Sequence, residues 1–558
     1  MTILSIQKSL KQNKIDARLI TLNNHFINED VLETENQILK LTNFSGSYAI
    51  LLISQTKAYL FVDGRYELQA KKQINTKTIE IIKLAEISFN DWLKKNFNTK
   101  PSKIEYNAFN ITQKHLEYLT KICPKIEFIA QTDSSINISP DKVKTFPHLK
   151  KYSGLNTKEK LEHILSLIKE KHLDAYLITS ATNSSWLLNM RSNSLPYTPI
   201  LRAYVLVHKD GTYNIFADNT DIKNAISINE LKEHIKNINH LGADFKTAPS
   251  IITTFNPNIK HYKDPISTLK TIKNNTELKG FISSHIRDGV AMSKFLYWLS
   301  KNYTNKTELD IKNKLLSLRK EEINFYSESF NTISAFGSNG AIVHYNPTPK
   351  TNKTLKKGSL LLLDSGAQYY DGTTDITRTI SIGTPSPEMV EKNTLVLKAH
   401  ISLASAVFPQ NTYGSELDIL ARNPLLKQNL NYLHGTGHGV GHFSNVHEGT
   451  HSISLSRKST TPLQKNMITS IEPGFYKENN YGIRIENLYY IAEDKKTNLL
   501  HFEVLTLVPL DKKLIKKSLL TKEEELWINN YHQTVFKSLK KYLSKQELTF
   551  IKEACSPL

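Results

Sequence analysis

The stretch Leu360-Leu361-Leu362-Leu363-Asp364-Ser365-Gly366-Ala367-Gln368-Tyr369-Tyr370-Asp371-Gly372-Thr373-Thr374-Asp375-Ile376-Thr377-Arg378-Thr379-Ile380 decides how this chain is read. Four consecutive leucines form the body of a buried strand. An ionised carboxylate at its end, Asp364, is costly unless something cationic compensates it. The chain then turns at Ser365-Gly366 and again at Asp371-Gly372. It returns as the β-prone run Thr373 to Thr379, which brings Asp375 back beside Asp364. Two acids therefore face one space.

A second strand adds to them. In Ile483-Arg484-Ile485-Glu486 the alternation predicts a half-buried strand with Arg484 and Glu486 on one face. Asp364, Asp375, His438, Glu472 and Glu486 together offer four carboxylates and one imidazole. Their four negative charges balance two divalent cations, whereas one cation would leave the site strongly anionic. Oxygen-rich ligation with a single His and no Cys favours Mn²⁺, and the same set accepts Co²⁺, Zn²⁺ or Fe²⁺. Two such ions roughly 3.5–4 Å apart share and acidify a water, giving hydroxide near neutral pH, and polarise the carbonyl it attacks. The implied chemistry is hydrolysis.

These segments, with HGTGHGVGH at 434–442, IEPGFYK at 471–477 and GIRIENLY at 482–489, resemble the pita-bread metallopeptidases in order and spacing. Within that superfamily the chain most resembles the three-domain Xaa-Pro aminopeptidases. The resemblance implies removal of an N-terminal residue from peptides with proline second. It also implies that Asp364, Asp375, His438, Glu472 and Glu486 are the metal ligands, with Asp375 and Glu486 bridging and Glu472 the general base. His344, in GSNGAIVHYN at 337–346, would bind substrate near the scissile carbonyl. His447 would shuttle a proton or hydrogen-bond the peptide, and His434 would line the proline pocket. Tyr476 and Arg484 would orient ligands and donate toward the oxyanion. Arg65, in the DGRY match, is a candidate channel residue, with a turn role as its alternative. After Arg191 the family usually has Gly-Ser-Asp, whereas this chain has Ser192-Asn193-Ser194, a departure that bears on subsite preference.

Other residues near these motifs read as structural. His442 has no assigned role, Asp371 reads as a turn residue, Asp418 as a surface acid and Glu448 as structural. The run Gly435 to Gly441 is not a dinucleotide loop, because Val440 stands where the third glycine belongs.

At 558 residues the chain exceeds one core, and three domains fit best. No apolar run approaches the roughly 20 residues that cross a membrane. The start, Met1 to Lys8, turns polar too soon for a signal peptide, so the cytoplasm is expected. Two cysteines, Cys123 and Cys555, exclude a disulfide framework. Matches to Asn-x-Ser/Thr such as Asn137-Ile138-Ser139 then carry no meaning. The formal charge of +19 invites a nucleic-acid reading, but the lysines are dispersed and Lys512-Lys513 with Lys516-Lys517 lack interleaved aromatics. Neither nucleic acid nor membrane is an expected partner.

An internal echo organises the first half. Lys14 to Thr21 recurs as His172 to Thr179, each after a Lys-rich helical stretch. Two related α/β domains follow, resembling creatinase-like N-terminal domains, at 1–140 and 141–268, with a linker from Asp133 to Tyr152. Lys209-Asp210-Gly211 reads as a hairpin turn. A long helix from Asn275 to Ser300, with Thr276 as N-cap, opens a pita-bread catalytic domain at 269–558. The overall class is α/β (α+β). Leu520 to Ser544 reads as a further helix capped by Thr521, and a homodimer is implied by the resemblance. Among rivals, prolidase shares the metal set but accepts only dipeptides. A methionine aminopeptidase would not need the first half of the chain. Creatinase-type enzymes and non-catalytic relatives lack the full ligand set.

Overall fold

A computed structural model describes residues 2–132, 143–455, 459 and 461–558. The first half of the expected linker, 133–142, which includes Asn137 to Ser139, lies outside the described residues. The chain divides into two compact units, the first built from 1–148, 155–195 and 199–266, the second from 149–154, 196–198 and 267–558.

The sequence echo becomes a repeated sheet plan in the first unit. Ala17–Thr21 pairs antiparallel with Ile50–Ser54 and parallel with Ser102–Asn107. Ala175–Ile178 pairs antiparallel with Tyr204–His208 and parallel with Leu241–Ala243. Each central strand follows a helix, Ile3–Gln12 and Thr157–Glu170, and each helix exit uses a residue in the left-handed region, Lys14 at φ 55° and His172 at φ 52°. Six strands form the first sheet and five the second. One apolar core includes Leu19, Leu52 and Ile104 beside Leu177, Leu206 and Leu241, so both sheets share their buried faces. The hairpin Tyr204–His208 to Tyr213–Phe216 turns where expected, with Gly211 at φ 87°. Arg65 lies here, paired with Asp63 at 2.7 Å.

The second unit opens with the helix Asn275–Asn302. Its N-cap is Asn274 rather than Thr276: the Asn274 side chain accepts from the main chain of Thr276 and Glu277, and Glu277 closes the box. Asn reaches both donors from one position earlier, so Thr276 is left inside the first turn. Ser359–Ser365 lies between Ile333–Phe336 and Ile376–Ile382, antiparallel to both. A six-stranded sheet holds Ile468–Ile471, Gly437–Gly439 and Glu448–Ile453 side by side. A two-stranded ribbon joins Gly474–Lys477 to Tyr481–Arg484. The helix Lys522–Leu539 is capped by Thr521, as expected, and a second helix Lys545–Ala554 follows. In Lys522–Leu539 the Tyr531 hydroxyl donates to Val508 O at 2.6 Å, tying that helix to the same unit. Among the described residues no helix is long and apolar enough to cross a membrane.

Candidate metal centre

Strand register creates the site. Asp364 stands opposite Thr377, and the Glu486 N–H donates to Thr377 O at 3.1 Å. Asp375 sits just before Ile376–Ile382, in a break after Gly372–Thr373 rather than within a continuous strand. The strand expected at 483–486 is instead Tyr481–Arg484, stopping short of Ile485 and Glu486, and it is not half-buried: Ile483, Arg484, Ile485 and Glu486 are all at 3% exposure or less. Its polar face is buried because the groups it meets, Asp364 and Thr377, are themselves buried and bonded to it.

Asp375, His438 and Glu486 each present one ligand atom, all within 4.8 Å of one another. His438 Nε2 lies 3.5 Å from Asp375 Oδ2 and 3.7 Å from Glu472 Oε1. The His438 Nδ1–H donates to Gly439 O at 2.9 Å, which leaves Nε2 with its lone pair directed at the carboxylates. Gly437 explains part of the glycine pattern around His438. A Cβ there would fall 2.1 Å from Ser470 O, so only glycine lets the strands approach, and Ser470 Oγ then accepts from the His438 N–H at 3.0 Å. Asp364 joins through Arg484, whose Nη2 donates to Asp364 Oδ2 at 2.6 Å. Thr377 Oγ1 links the two halves, accepting from Arg484 Nε at 3.1 Å and donating to Glu486 Oε2 at 2.7 Å.

The donor set fits divalent cations. Asp364 Oδ1 and Asp375 Oδ1 are buried without a hydrogen-bond partner among the described residues, the state of an oxygen shaped for a cation rather than for a proton donor. Burial, opposed by Arg484 and reinforced by Asp375 and Glu472, pushes the Asp364 carboxyl up to about 6. Burial also raises Glu472, against the pull of His438 and Arg484. Glu486 is raised well above the usual carboxylate range by burial, then by Asp375, Glu472 and Asp364. Asp364, Glu472 and Glu486, crowded this way, resist ionising together, and cations remove that resistance.

The remaining site residues form a directed chain. Arg484 Nη1 donates to the Tyr476 hydroxyl at 2.8 Å, the hydroxyl donates to His434 Nε2 at 2.9 Å, and His434 Nδ1–H donates to Gly435 O at 2.8 Å. With both nitrogens engaged, the His434 ring packs against Tyr432 and Tyr476, with centroids 4.8 and 5.5 Å away. His447 packs edge-to-face on His438 with ring centroids 4.5 Å apart. His344 is half-buried in the turn after the 3₁₀ segment Gly337–Ala341.

Three readings of neighbouring residues change or sharpen. Asp418 is fully buried rather than a surface acid, binding Arg422 at 2.8 Å and the Thr436 hydroxyl. Its helix Gly414–Leu426 turns that position inward, against the loop before His438. Asp371 pairs with Arg287, and its carbonyl accepts from His442 Nε2 at 3.0 Å, so both are structural. Glu448 is buried between Lys270 and Lys273. Thr377 and Ser470 were not singled out by sequence. Thr377 carries only one signal in the sequence, its place in the same β-prone run as Asp375.

Residues 280–493 match the model of metallopeptidase family M24, and 498–558 match the C-terminal region of peptidase M24. Residues 3–135 and 138–277 each match a creatinase/prolidase N-terminal domain. The chain is 33% identical to a probable Xaa-Pro aminopeptidase P of Laccaria bicolor, over 99% of this chain and 92% of that one. It is 34% identical to aminopeptidase P2 of Arabidopsis thaliana, over 94% of this chain and 83% of that one. The crystal structure of X-prolyl aminopeptidase from Caenorhabditis elegans, described as a cytosolic enzyme with a di-nuclear active site, superposes with TM-score 0.92 at 33% identity. That match covers 98% of this chain and 95% of the other. A prolidase from Pyrococcus horikoshii, 24% identical with TM-score 0.51 over 63% of this chain and 99% of its own, shares the fold. The chain belongs to metallopeptidase family M24, among its aminopeptidase P members.

Proposed function

We propose that this protein is a Xaa-Pro aminopeptidase, releasing the first residue of peptides whose second residue is proline. The observation that carries this reading is the convergence of Asp375, His438 and Glu486, with Asp364 Oδ1 and Asp375 Oδ1 buried and without a hydrogen-bond partner among the described residues. Asp364, Asp375, His438, Glu472 and Glu486 would hold two divalent cations, with Mn²⁺ the expected metal and Co²⁺ or Zn²⁺ able to replace it. When bound, such a pair supplies Lewis acidity at a carbonyl oxygen and lowers the pKa of water.

The chain's own groups do the rest. Glu472, half-buried, takes the proton of the attacking water and passes it toward the leaving proline nitrogen. His344 hydrogen-bonds the substrate beside the scissile carbonyl, and His447 holds the peptide or relays the proton. His434 presents its ring to the proline. Arg484 holds Asp364 and, with Tyr476, orients the groups around the carboxylates. We read the chain as domains at 1–140, 141–268 and 269–558, supported by family matches at 3–135, 138–277, 280–493 and 498–558. A cytoplasmic location, supported by the C. elegans structure described as that of a cytosolic enzyme, and assembly as a homodimer complete the proposal.

The test uses chelator-stripped protein, with and without Mn²⁺. Substrates are a tripeptide with proline second, its alanine counterpart and an Xaa-Pro dipeptide. Mn²⁺-dependent cleavage of the proline tripeptide alone is expected. Activity confined to the dipeptide would make the protein a prolidase, and no metal uptake would end the enzymatic reading. Asp375→Ala and Glu486→Ala should each lower turnover more than the roughly 10–100-fold typical of a supporting residue. His344→Ala should slow turnover with metal content unchanged.

A further inference from the structure

The segment that carries His344 is organised by a carboxylate outside the metal cluster. Glu308, the first residue of the helix Glu308–Arg319, has no exposed surface. Its Oε1 accepts from the Phe336 N–H at 2.6 Å and from Asn339 Nδ2 at 2.9 Å. Its Oε2 accepts from the Tyr345 hydroxyl at 2.8 Å, the Lys353 N–H at 3.0 Å and Asn339 Nδ2 at 3.1 Å. All of these donors are neutral main-chain, amide or phenol groups. They fill the roughly four acceptor sites of a carboxylate. They also bracket 336–353 from both ends, and Tyr345 is the immediate neighbour of His344.

The other side of this segment rests on the strand that leads into the site. A Cβ on Gly482 would fall 1.7 Å from Gly340 O, so the two backbones touch with no room for a side chain. Gly482 belongs to Tyr481–Arg484, which ends in Arg484 two residues before Glu486. Upstream, Ile333–Phe336 pairs with Ser359–Ser365, placing Ile333 opposite Asp364. The His344 segment is thus held between these strands and one buried acid that fixes its remaining freedom.

We propose that Glu308 is a positioning residue: it locks the 336–353 segment so that His344 keeps one fixed place relative to the strands Ser359–Ser365 and Tyr481–Arg484. This rests on the substrate-binding role of His344 proposed above. Glu308→Gln keeps one acceptor oxygen but turns an amide N–H₂ toward groups that are themselves donors, so the segment loosens without a change in size.

The experiment is a double-mutant cycle on the Mn²⁺-loaded full chain, cleaving the proline tripeptide. It compares wild type, Glu308→Gln, His344→Ala and the double variant, with metal content and melting temperature measured for each. Glu308→Gln should lower kcat/KM about 10–100-fold, the range for residues that orient others, with metal content unchanged. The double variant should be no worse than His344→Ala alone. Losses that multiply, or wild-type rates for Glu308→Gln, would overturn the assignment and leave the aminopeptidase reading standing. A wild-type protein that does not cleave the tripeptide would overturn that reading and this one with it. Should Glu308→Gln fail to fold, Tyr345→Phe removes a single donor. Its smaller loss should vanish in the His344→Ala background, and a loss that persists there counts against the proposal.

Discussion

Arg484 donates to Asp364 Oδ2 at 2.6 Å with both side chains buried, so the site contains its own counter-charge before any metal arrives. The same guanidinium reaches Tyr476 and, through Thr377, Glu486. One guanidinium therefore links two of the four carboxylates, Asp364 and Glu486.

Removing that cation should cost stability in a pH-dependent way. Arg484→Met leaves Asp364 buried and unpaired, a change worth about 3–5 kcal/mol when the acid is ionised. Urea unfolding of chelated protein should show the larger loss at pH 8 and a smaller one at pH 5, where Asp364 escapes by taking a proton. Equal losses at both values would show that Arg484 contributes packing rather than charge.

Metal uptake should release protons. Asp364 is pushed up to about 6, and Glu472 and Glu486 are also raised, so the metal-free fold holds protons that the unfolded chain has lost. Their stabilising share is therefore complete below the ordinary carboxylate range, around pH 4, and the part due to Asp364 is lost as pH rises through about 6. Cations bind the deprotonated form, so adding Mn²⁺ at pH 6 in weak buffer should liberate about one proton or more per chain. Stability of the loaded protein relative to the metal-free one should grow across the same window. Uptake with no acidification would contradict this picture of the cluster.

Acid sensitivity should come partly from His25. Burial, helped by Arg202, lowers its pKa to about 4, while the unfolded histidine titrates near 6.5. Its contribution is present above about pH 6.5 and is lost as pH falls toward 4. His25 stacks on Phe109 with centroids 4.4 Å apart, and its Nδ1 is buried without a partner among the described residues. His25→Phe should keep the stacking and flatten the pH–stability slope by up to about 1.4 kcal/mol per pH unit in that window. An unchanged slope in urea titrations would remove His25 from the account.

The buried triad Lys270–Glu448–Lys273 makes a separate prediction. Lys270 Nζ lies 2.7 Å from Glu448, Lys273 also pairs with it, and none of the three side chains exceeds 7% exposure. Glu448→Ala leaves two buried ammonium groups without their carboxylate and should destabilise the fold by about 3–5 kcal/mol. The triple replacement by Met, Leu and Met should recover most of that, as read by calorimetry. If the triple variant stays as unstable as Glu448→Ala, the cost lies in shape rather than in uncompensated charge.

What the sequence determined by itself is local and periodic. Four leucines ending in Asp364, the repeated Lys14 and His172 segments, and the capped helix at Thr521 each declare a strand, a sheet plan or a helix start. The order of the motifs also named the residues now found around the cluster. Tertiary structure decided the rest, because burial and partnership depend on what arrives from elsewhere in the chain. Asp418 looked like a surface acid until its helix turned it toward Arg422 and Thr436. Glu308 sits in an unremarkable polar helix start, and only folding brings Phe336, Asn339, Tyr345 and Lys353 to its two oxygens. The pairing of Asp364 with Arg484 spans 120 residues, and the register that aligns Asp364, Thr377 and Glu486 is a property of strands in contact. A charged side chain carries no local mark of whether its compensating group will be water, a metal or a distant arginine, and that choice is made only when the strands pack.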